Sequence, residues 1–105
     1  MTVRQITNIL SNAAERCNWK NIGFEREPRS VEVHFGKNYM LDEDETVECH
    51  SFYANKWLFL EYFDGKAHEV SEEDWFKGVE RYFWNICGVH LDMTATENKT
   101  AACGD

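Results

Sequence analysis

The sequence predicts an α+β domain in which an N-terminal and a C-terminal helix pack on one face of an antiparallel sheet of about three to five strands. Two patterns predict this class. Near both ends of the chain, apolar residues recur every three or four positions, which is typical of helices with one buried face. Between these segments the apolar period falls to two, which is typical of half-buried strands.

The first helix is predicted over residues 3–17. Thr2 and Gln5 match a capping box, in which a hydroxyl and an amide side chain satisfy free backbone groups at a helix start. The predicted buried face comprises Val3, Ile6, Ile9, Leu10, Ala13, Ala14 and Cys17. Asn18 is the expected end of the helix, and residues 19–30, which contain the one proline, are predicted to form an irregular connection.

The strands are predicted in the middle of the chain. Residues 31–35 alternate apolar and polar side chains, and residues 46–53 resume this alternation. Residues 57–63 form a dense apolar run that is expected to be a central strand or a strand covered on both faces. An Asp-Gly pair then favours a hairpin turn into a return strand at residues 66–70.

A second helix is predicted to begin after Ser71. Asp74, three residues later, completes an acidic form of the capping box, and Gly88 is a residue type that commonly ends a helix. The stripe at helical spacing comprises Trp75, Phe76, Val79, Tyr82, Phe83 and Ile86. We expect this stripe to pack across the sheet against Trp57 and Phe59.

The 105 residues are expected to form one domain over residues 1–92, followed by a loose tail over residues 93–105. No segment approaches the roughly 20 apolar residues that cross a bilayer, and the N-terminus lacks the pattern of a signal peptide. A cytoplasmic location without membrane contact is therefore expected. The four cysteines lack the spacing of a disulfide framework, so reduced thiols are expected.

The charge is unevenly distributed along the chain. The formal net charge is −8, of which residues 1–40 contribute +2 and residues 41–105 contribute −10. A chain this acidic repels phosphate backbones, so direct nucleic-acid binding is not expected. The same charge favours encounter with a basic partner, including a protein whose basic groove normally holds nucleic acid.

The predicted partner-binding residues are two acidic clusters and two aromatic anchors. The first cluster comprises Asp42, Glu43, Asp44, Glu45 and Glu48, and the second comprises Glu72, Glu73 and Asp74. Tyr53 and Trp57 are the anchors, because an aromatic side chain at a strand end can supply contact area. These residues favour a non-enzymatic protein-binding module, such as a phage or mobile-element inhibitor that blocks the basic nucleic-acid-binding surface of a host protein such as a nuclease complex.

Metal, cofactor and catalytic sites are not predicted. Cys87 and His90 have a Cys-x2-His spacing that can bind zinc, and Cys49 with His50 formally completes four ligands. However, adjacent residues of a strand point to opposite faces, so Cys49 and His50 cannot both reach one ion without a bulge. No nucleophile motif or phosphate loop accompanies the cysteines.

Three other functions remain as alternatives. Carboxylates at Glu61, Asp64 and Glu69 can meet across the predicted hairpin as an acid and a base, although a solvated surface is favoured among so many acidic residues. A small-molecule site or small enzyme would use a sheet pocket with the lining residues Trp57, Phe59 and Tyr62 and a polar contact from His34 or His50. A structural subunit would cover its aromatic surface in a homodimer.

Overall fold

The computed structural model describes residues 1–20, 22–36, 50–63 and 65–97, with the backbone alone at His50. These residues form, in chain order, α1 (Val3–Arg16), β1 (Ile22–Glu27), β2 (Ser30–Phe35), β3 (His50–Asn55), β4 (Phe59–Phe63), β5 (Lys66–Glu69) and α2 (Glu72–Cys87). The predicted α+β class, with a terminal helix at each end of an antiparallel sheet, is confirmed.

The sheet is a meander in which each strand pairs with the next one in the chain, in the order β1-β2-β3-β4-β5. The prediction of an irregular connection over residues 19–30 is wrong where β1 forms. This strand has a weak sequence pattern because Ile22 is buried whereas Glu25, Arg26 and Glu27 are all exposed. Pairing with β2 at the sheet edge makes the segment a strand, and Ile22 and Phe24 share its core side.

The predicted capping box of α1 is confirmed, and Ser71 is confirmed as the N-cap residue of α2. The backbone N–H of Gln5 donates to Thr2 Oγ1 (3.1 Å), and the Thr2 N–H donates to Gln5 Oε1 (2.8 Å). At the start of α2, the Asp74 N–H donates to Ser71 Oγ (3.1 Å). The helix ends at Gly88, whose φ of 69° is left-handed. Among the described residues, no helix is long and apolar enough to cross a membrane.

The core lies between the two helices and one face of the sheet. It includes Ile6, Ile9, Leu10, Ala13, Ala14, Val31, Val33, Phe35, Phe52, Ala54, Trp75, Phe76, Val79 and Phe83. Trp75 is fully buried, and its indole N–H donates to the carbonyl oxygen of Leu60 (3.2 Å). This bond satisfies a donor that would otherwise be costly to bury.

One predicted core contact is wrong. Trp57 is 79% exposed and lies in the β3–β4 turn rather than against the stripe of α2. Phe52 of β3 takes the central position, with its ring centre 5.8 Å from that of Phe35 and 6.2 Å from that of Trp75. The predicted contact between Phe59 and the stripe is confirmed, because this ring lies 5.5 Å from Trp75.

The segment after α2 also packs on the domain. Leu91 is buried, and Asn8 Nδ2 of α1 donates to the carbonyl oxygen of Thr96 (2.8 Å). The boundary at residue 92 between domain and tail stays a prediction.

Candidate functional site

The candidate site is the face of the sheet opposite the two described helices, which we call the open face. Strand alternation turns every second side chain toward it. The register aligns one open-face residue from each strand in a central row of Glu25, Glu32, Tyr53, Leu60 and Glu69. Because neighbouring strands lie about 4.8 Å apart, this row spans roughly 19 Å.

Two further rows flank the central row. One comprises Gly23, His34, Ser51, Tyr62 and Ala67, and the other comprises Glu27, Ser30 and Asn55. In the described strands, the carboxylates of the open face are those of Glu25, Glu27, Glu32 and Glu69. No Lys or Arg side chain occupies an open-face position in the strands that the structure describes.

Among the residues that the structure describes, basic side chains do not neutralise the negative charge of the open face. Within the described ranges, no Lys or Arg forms an ion pair with its carboxylates. Arg29 and Lys56 lie in turns at one end of the sheet, and Lys56 Nζ is 5.4 Å from the ring centre of Trp57. The negative potential therefore extends from this face into solvent, with a screening length of about 8 Å at physiological salt.

A histidine lies between two carboxylates at the β1–β2 side of this face. Glu25 and Glu32 are directly opposite each other across the two strands. His34 Nε2 lies 3.4 Å from Glu25 Oε2 and 3.9 Å from Glu32 Oε2. Its other ring nitrogen, Nδ1, is 2.7 Å from Ser51 Oγ on β3. The ring is therefore held by a hydrogen bond on one side and faces two acids on the other.

Of the two predicted aromatic anchors, Tyr53 lies within β3 and Trp57 lies in the β3–β4 turn at one end of the sheet. Tyr53 is half-buried in the central row, and its hydroxyl oxygen accepts a hydrogen bond from Asn55 Nδ2 (3.2 Å). The backbone N–H of Trp57 donates to Asn55 Oδ1 (2.8 Å), which fixes the turn that presents the exposed indole. One asparagine thus orients both residues.

The second predicted acidic cluster, residues 72–74, is exposed in the first turn of α2. Carboxylates there interact favourably with the helix dipole, so the cluster has a structural role. Glu73 also pairs with Lys77 (3.4 Å). The Val70 N–H donates to the Phe59 carbonyl (3.0 Å), which places the start of α2 at the same end of the sheet as the β3–β4 turn.

Several predicted residues lie outside the described part of the chain. These are the first acidic cluster, Asp42, Glu43, Asp44, Glu45 and Glu48, together with Cys49, Asp64 and the side chain of His50. The role of the acidic cluster in partner binding stays a prediction.

The described members of the cysteine–histidine set have other contacts. The ring of His90 stacks on Trp84 with centres 4.4 Å apart, and its Nδ1 lies 3.1 Å from Glu80 Oε2. Cys87 lies beside Cys17, and both are free thiols. Burial, then the hydrogen bond with Cys87, raises the pKa of the Cys17 thiol to about 12. Cys17 is therefore protonated at neutral pH, which makes it a poor nucleophile.

The proposed pocket residues do not converge. Phe59 packs in the core, Tyr62 lies on the open face, and Trp57 projects from a turn. Glu61 and Glu69 pair with His68 and Leu60, respectively, so the two carboxylates occupy opposite faces of the sheet. They do not meet as an acid and a base.

A groove that the sequence did not predict lies along the outer side of α2. This open cavity of about 740 Å³ is lined by Glu72, Glu73, Phe76, Lys77, Glu80, Arg81, Trp84, His90, Leu91 and Met93. Acidic, basic and apolar side chains alternate along it, so it has no single chemical character.

The sequence prediction missed most of the open-face acids. Glu25 and Glu27 fall in the segment predicted to be irregular, and nothing local indicated their strand pairing. Glu32 and His34 carried a usable signal, because residues two apart in an alternating strand share a face.

The comparisons with known proteins give no relative. No family model matches the chain, and no curated protein or solved structure matches it. Fold and open face together define a small α+β domain with an acidic, aromatic-containing sheet surface.

Proposed function

We propose that this protein is a non-enzymatic binding module that engages a basic surface of another protein through the open face of its sheet. The observation that carries the proposal is the composition of that face. Carboxylates lie at both ends of a row about 19 Å long, and apolar and aromatic side chains lie between them. No described strand contributes a Lys or Arg side chain to this face of the sheet.

This composition suits protein recognition. Exposed carboxylates of one sign speed the encounter with a basic partner and set its orientation. Tyr53, Leu60 and Tyr62 are half-buried, so they offer contact area that is already partly ordered. An apolar centre with a charged rim is the usual anatomy of a protein interface.

Two other partners fit this face less well. A nucleic-acid backbone would be repelled by the carboxylates, since affinity for phosphate depends on Lys and Arg. A second copy docked face to face would place like charges opposite each other. A basic protein surface satisfies both the charge and the aromatic centre.

The class of partner that we propose is a protein whose basic groove normally holds nucleic acid. A small acidic protein seated in such a groove would act as a competitive inhibitor. Inhibitors of this type, of phage or mobile-element origin and directed at a host protein such as a nuclease complex, form the specific hypothesis.

The first test uses hexa-arginine as a defined basic probe. Its titration into ¹⁵N-labelled protein at low salt with EDTA should shift amide resonances of the open-face rows. A Glu25→Gln/Glu69→Gln variant should bind more weakly, because each exposed charge pair contributes roughly 0.2–1 kcal/mol, or about two- to thirtyfold in affinity for the two together.

The matched control is a Glu15→Gln/Glu97→Gln variant, which removes the same charge from exposed positions elsewhere. Equal weakening in both variants would show that net charge alone attracts the probe, and would refute a role for the open face. In the source cells, the Glu25→Gln/Glu69→Gln variant should lose a captured partner that the Glu15→Gln/Glu97→Gln variant retains. A nucleic-acid ligand of that partner should then displace the protein.

A further inference from the structure

We propose that Glu25, Glu32 and His34 form a binding site for a divalent first-row transition-metal ion such as Zn²⁺. The proposal concerns the β1–β2 side of the open face and does not depend on the proposed partner. One imidazole nitrogen and two carboxylate oxygens, one from each residue, all lie within 4.8 Å of one another.

The distances match the geometry that such an ion requires. Zinc binds nitrogen and oxygen ligands at about 2.0–2.1 Å in a tetrahedron, which separates neighbouring ligand atoms by roughly 3.3 Å. His34 Nε2 is 3.4 Å from Glu25 Oε2 and 3.9 Å from Glu32 Oε2. The two carboxylate oxygens lie within 4.8 Å of each other, and the Glu25 side chain is 69% exposed on an edge strand, so its rotation can bring its oxygen closer to both other ligands.

The imidazole nitrogen of the cluster also points to a ligand, although the His34 side chain as a whole is 33% exposed. His34 Nε2 is shielded from solvent and makes no hydrogen bond, although two carboxylates are close to it. Buried polar atoms are nearly always satisfied, so an orphaned ring nitrogen needs an explanation. A metal ion between the nitrogen and the carboxylates would satisfy all three groups.

Ser51 can prepare the histidine for this role. In the tautomer in which Nδ1–H donates to Ser51 Oγ (2.7 Å), the lone pair of Nε2 is available to a metal. A hydrogen bond to the second ring nitrogen is the usual support of a metal-bound histidine.

The cation would also relieve an unfavourable contact. Glu25 and Glu32 are directly opposite on neighbouring strands, where like charges destabilise a sheet. The mixed nitrogen and oxygen ligand set favours a transition metal over Ca²⁺ or Mg²⁺, which prefer oxygen alone. Three protein ligands would leave a coordination position toward solvent.

The test measures Zn²⁺ binding to the purified protein by isothermal titration calorimetry, with Mn²⁺ as a paramagnetic probe of location by NMR. We expect Mn²⁺ to broaden amide signals around residues 25, 32 and 34. Both His34→Gln and Glu25→Gln should lower the Zn²⁺ affinity at least tenfold, and Ser51→Ala should lower it roughly tenfold.

His90→Gln is the matched control, because His90 has a single nearby carboxylate, that of Glu80, and should change Zn²⁺ affinity less than twofold. The proposal is overturned if Zn²⁺ does not bind, if His34→Gln binds as wild type, or if Mn²⁺ broadens only signals elsewhere. Should His34→Gln fail to fold, Glu25→Gln on the exposed edge strand remains a valid test.

The outcomes separate this site from the proposed function. His34→Gln keeps every carboxylate of the open face, so it should retain hexa-arginine binding in EDTA while losing the metal. Loss of probe binding in Glu25→Gln/Glu69→Gln with no metal site in wild type would support the first proposal and overturn the second.

Discussion

Replacement of Gly78 by alanine should destabilise the protein, although the same change stabilises an ordinary helix. Gly78 lies in α2 where the helix crosses the sheet. A Cβ atom at this position would lie 2.9 Å from Phe52 Cε2 and 2.9 Å from Glu61 Oε2. Both contacts are well inside the 3.5–4.0 Å at which carbon atoms pack.

The magnitude follows from two opposing terms. Alanine is more favourable than glycine in a helix by about 1 kcal/mol. The Glu61 carboxylate can swing away, but Phe52 is 2% exposed and is held by neighbouring rings, so α2 or the ring must move. Overpacking of this kind costs about 1–3 kcal/mol, which leaves a net loss of about 1 kcal/mol in the free energy of unfolding.

Urea denaturation followed by circular dichroism measures this difference. Asn85→Ala, at an exposed position of the same helix, is the control and should gain about 0.5 kcal/mol. Adding Phe52→Leu to Gly78→Ala should recover part of the overlap cost. A stability gain of about 1 kcal/mol in Gly78→Ala alone would refute the close approach of α2 to the sheet.

Four further outcomes are expected. Glu32→Gln should raise the free energy of unfolding by up to about 1 kcal/mol at pH 8 and low salt, because it removes the repulsion between the Glu25 and Glu32 carboxylates. The gain should shrink in 1 M NaCl, and a loss of stability would contradict this prediction. Cys17 should react with iodoacetamide at pH 8 roughly a thousandfold more slowly than an unperturbed thiol, since its pKa is about 12 rather than 9.0. Mass spectrometry of the labelled protein measures this rate, and a rate close to that of an unperturbed thiol would contradict the prediction. The folded state keeps this proton where the unfolded chain loses it, so the contribution of Cys17 to stability should fall as pH rises from 9 toward 12, a trend that Cys17→Ala removes. Trp57→Ala should change stability by less than about 0.5 kcal/mol, because the side chain is 79% exposed, yet weaken capture of the partner; unchanged capture would exclude Trp57 as an anchor.

The helices could be predicted from sequence because their signals are local. The capping hydroxyl of Thr2 and that of Ser71 act on backbone groups three residues away, and Gly88 ends α2 through its own φ. The alternation in β2 predicted which of its side chains are buried. Each of these features depends on residues within one or two turns of chain.

Two errors have a common physical origin. The sequence does not predict β1 and wrongly predicts a core position for Trp57, because the limits of a strand depend on its pairing with neighbouring strands. Half of the residues of β1 are exposed, and its pairing with β2 completes the strand. Conversely, Trp57 belongs to an apolar run, but β4 begins two residues later and leaves the indole in the turn.

The sequence alone therefore determined the fold class, the helix ends, the net acidity and the presence of aromatic residues for a core. The tertiary structure decided which acids stand together. Glu25 and Glu69 are 44 positions apart in the chain and occupy the two ends of one row, because the register of four strand pairs aligns them. Register depends on pairing between distant segments, and a shift of one residue would move every side chain of a strand to the other face.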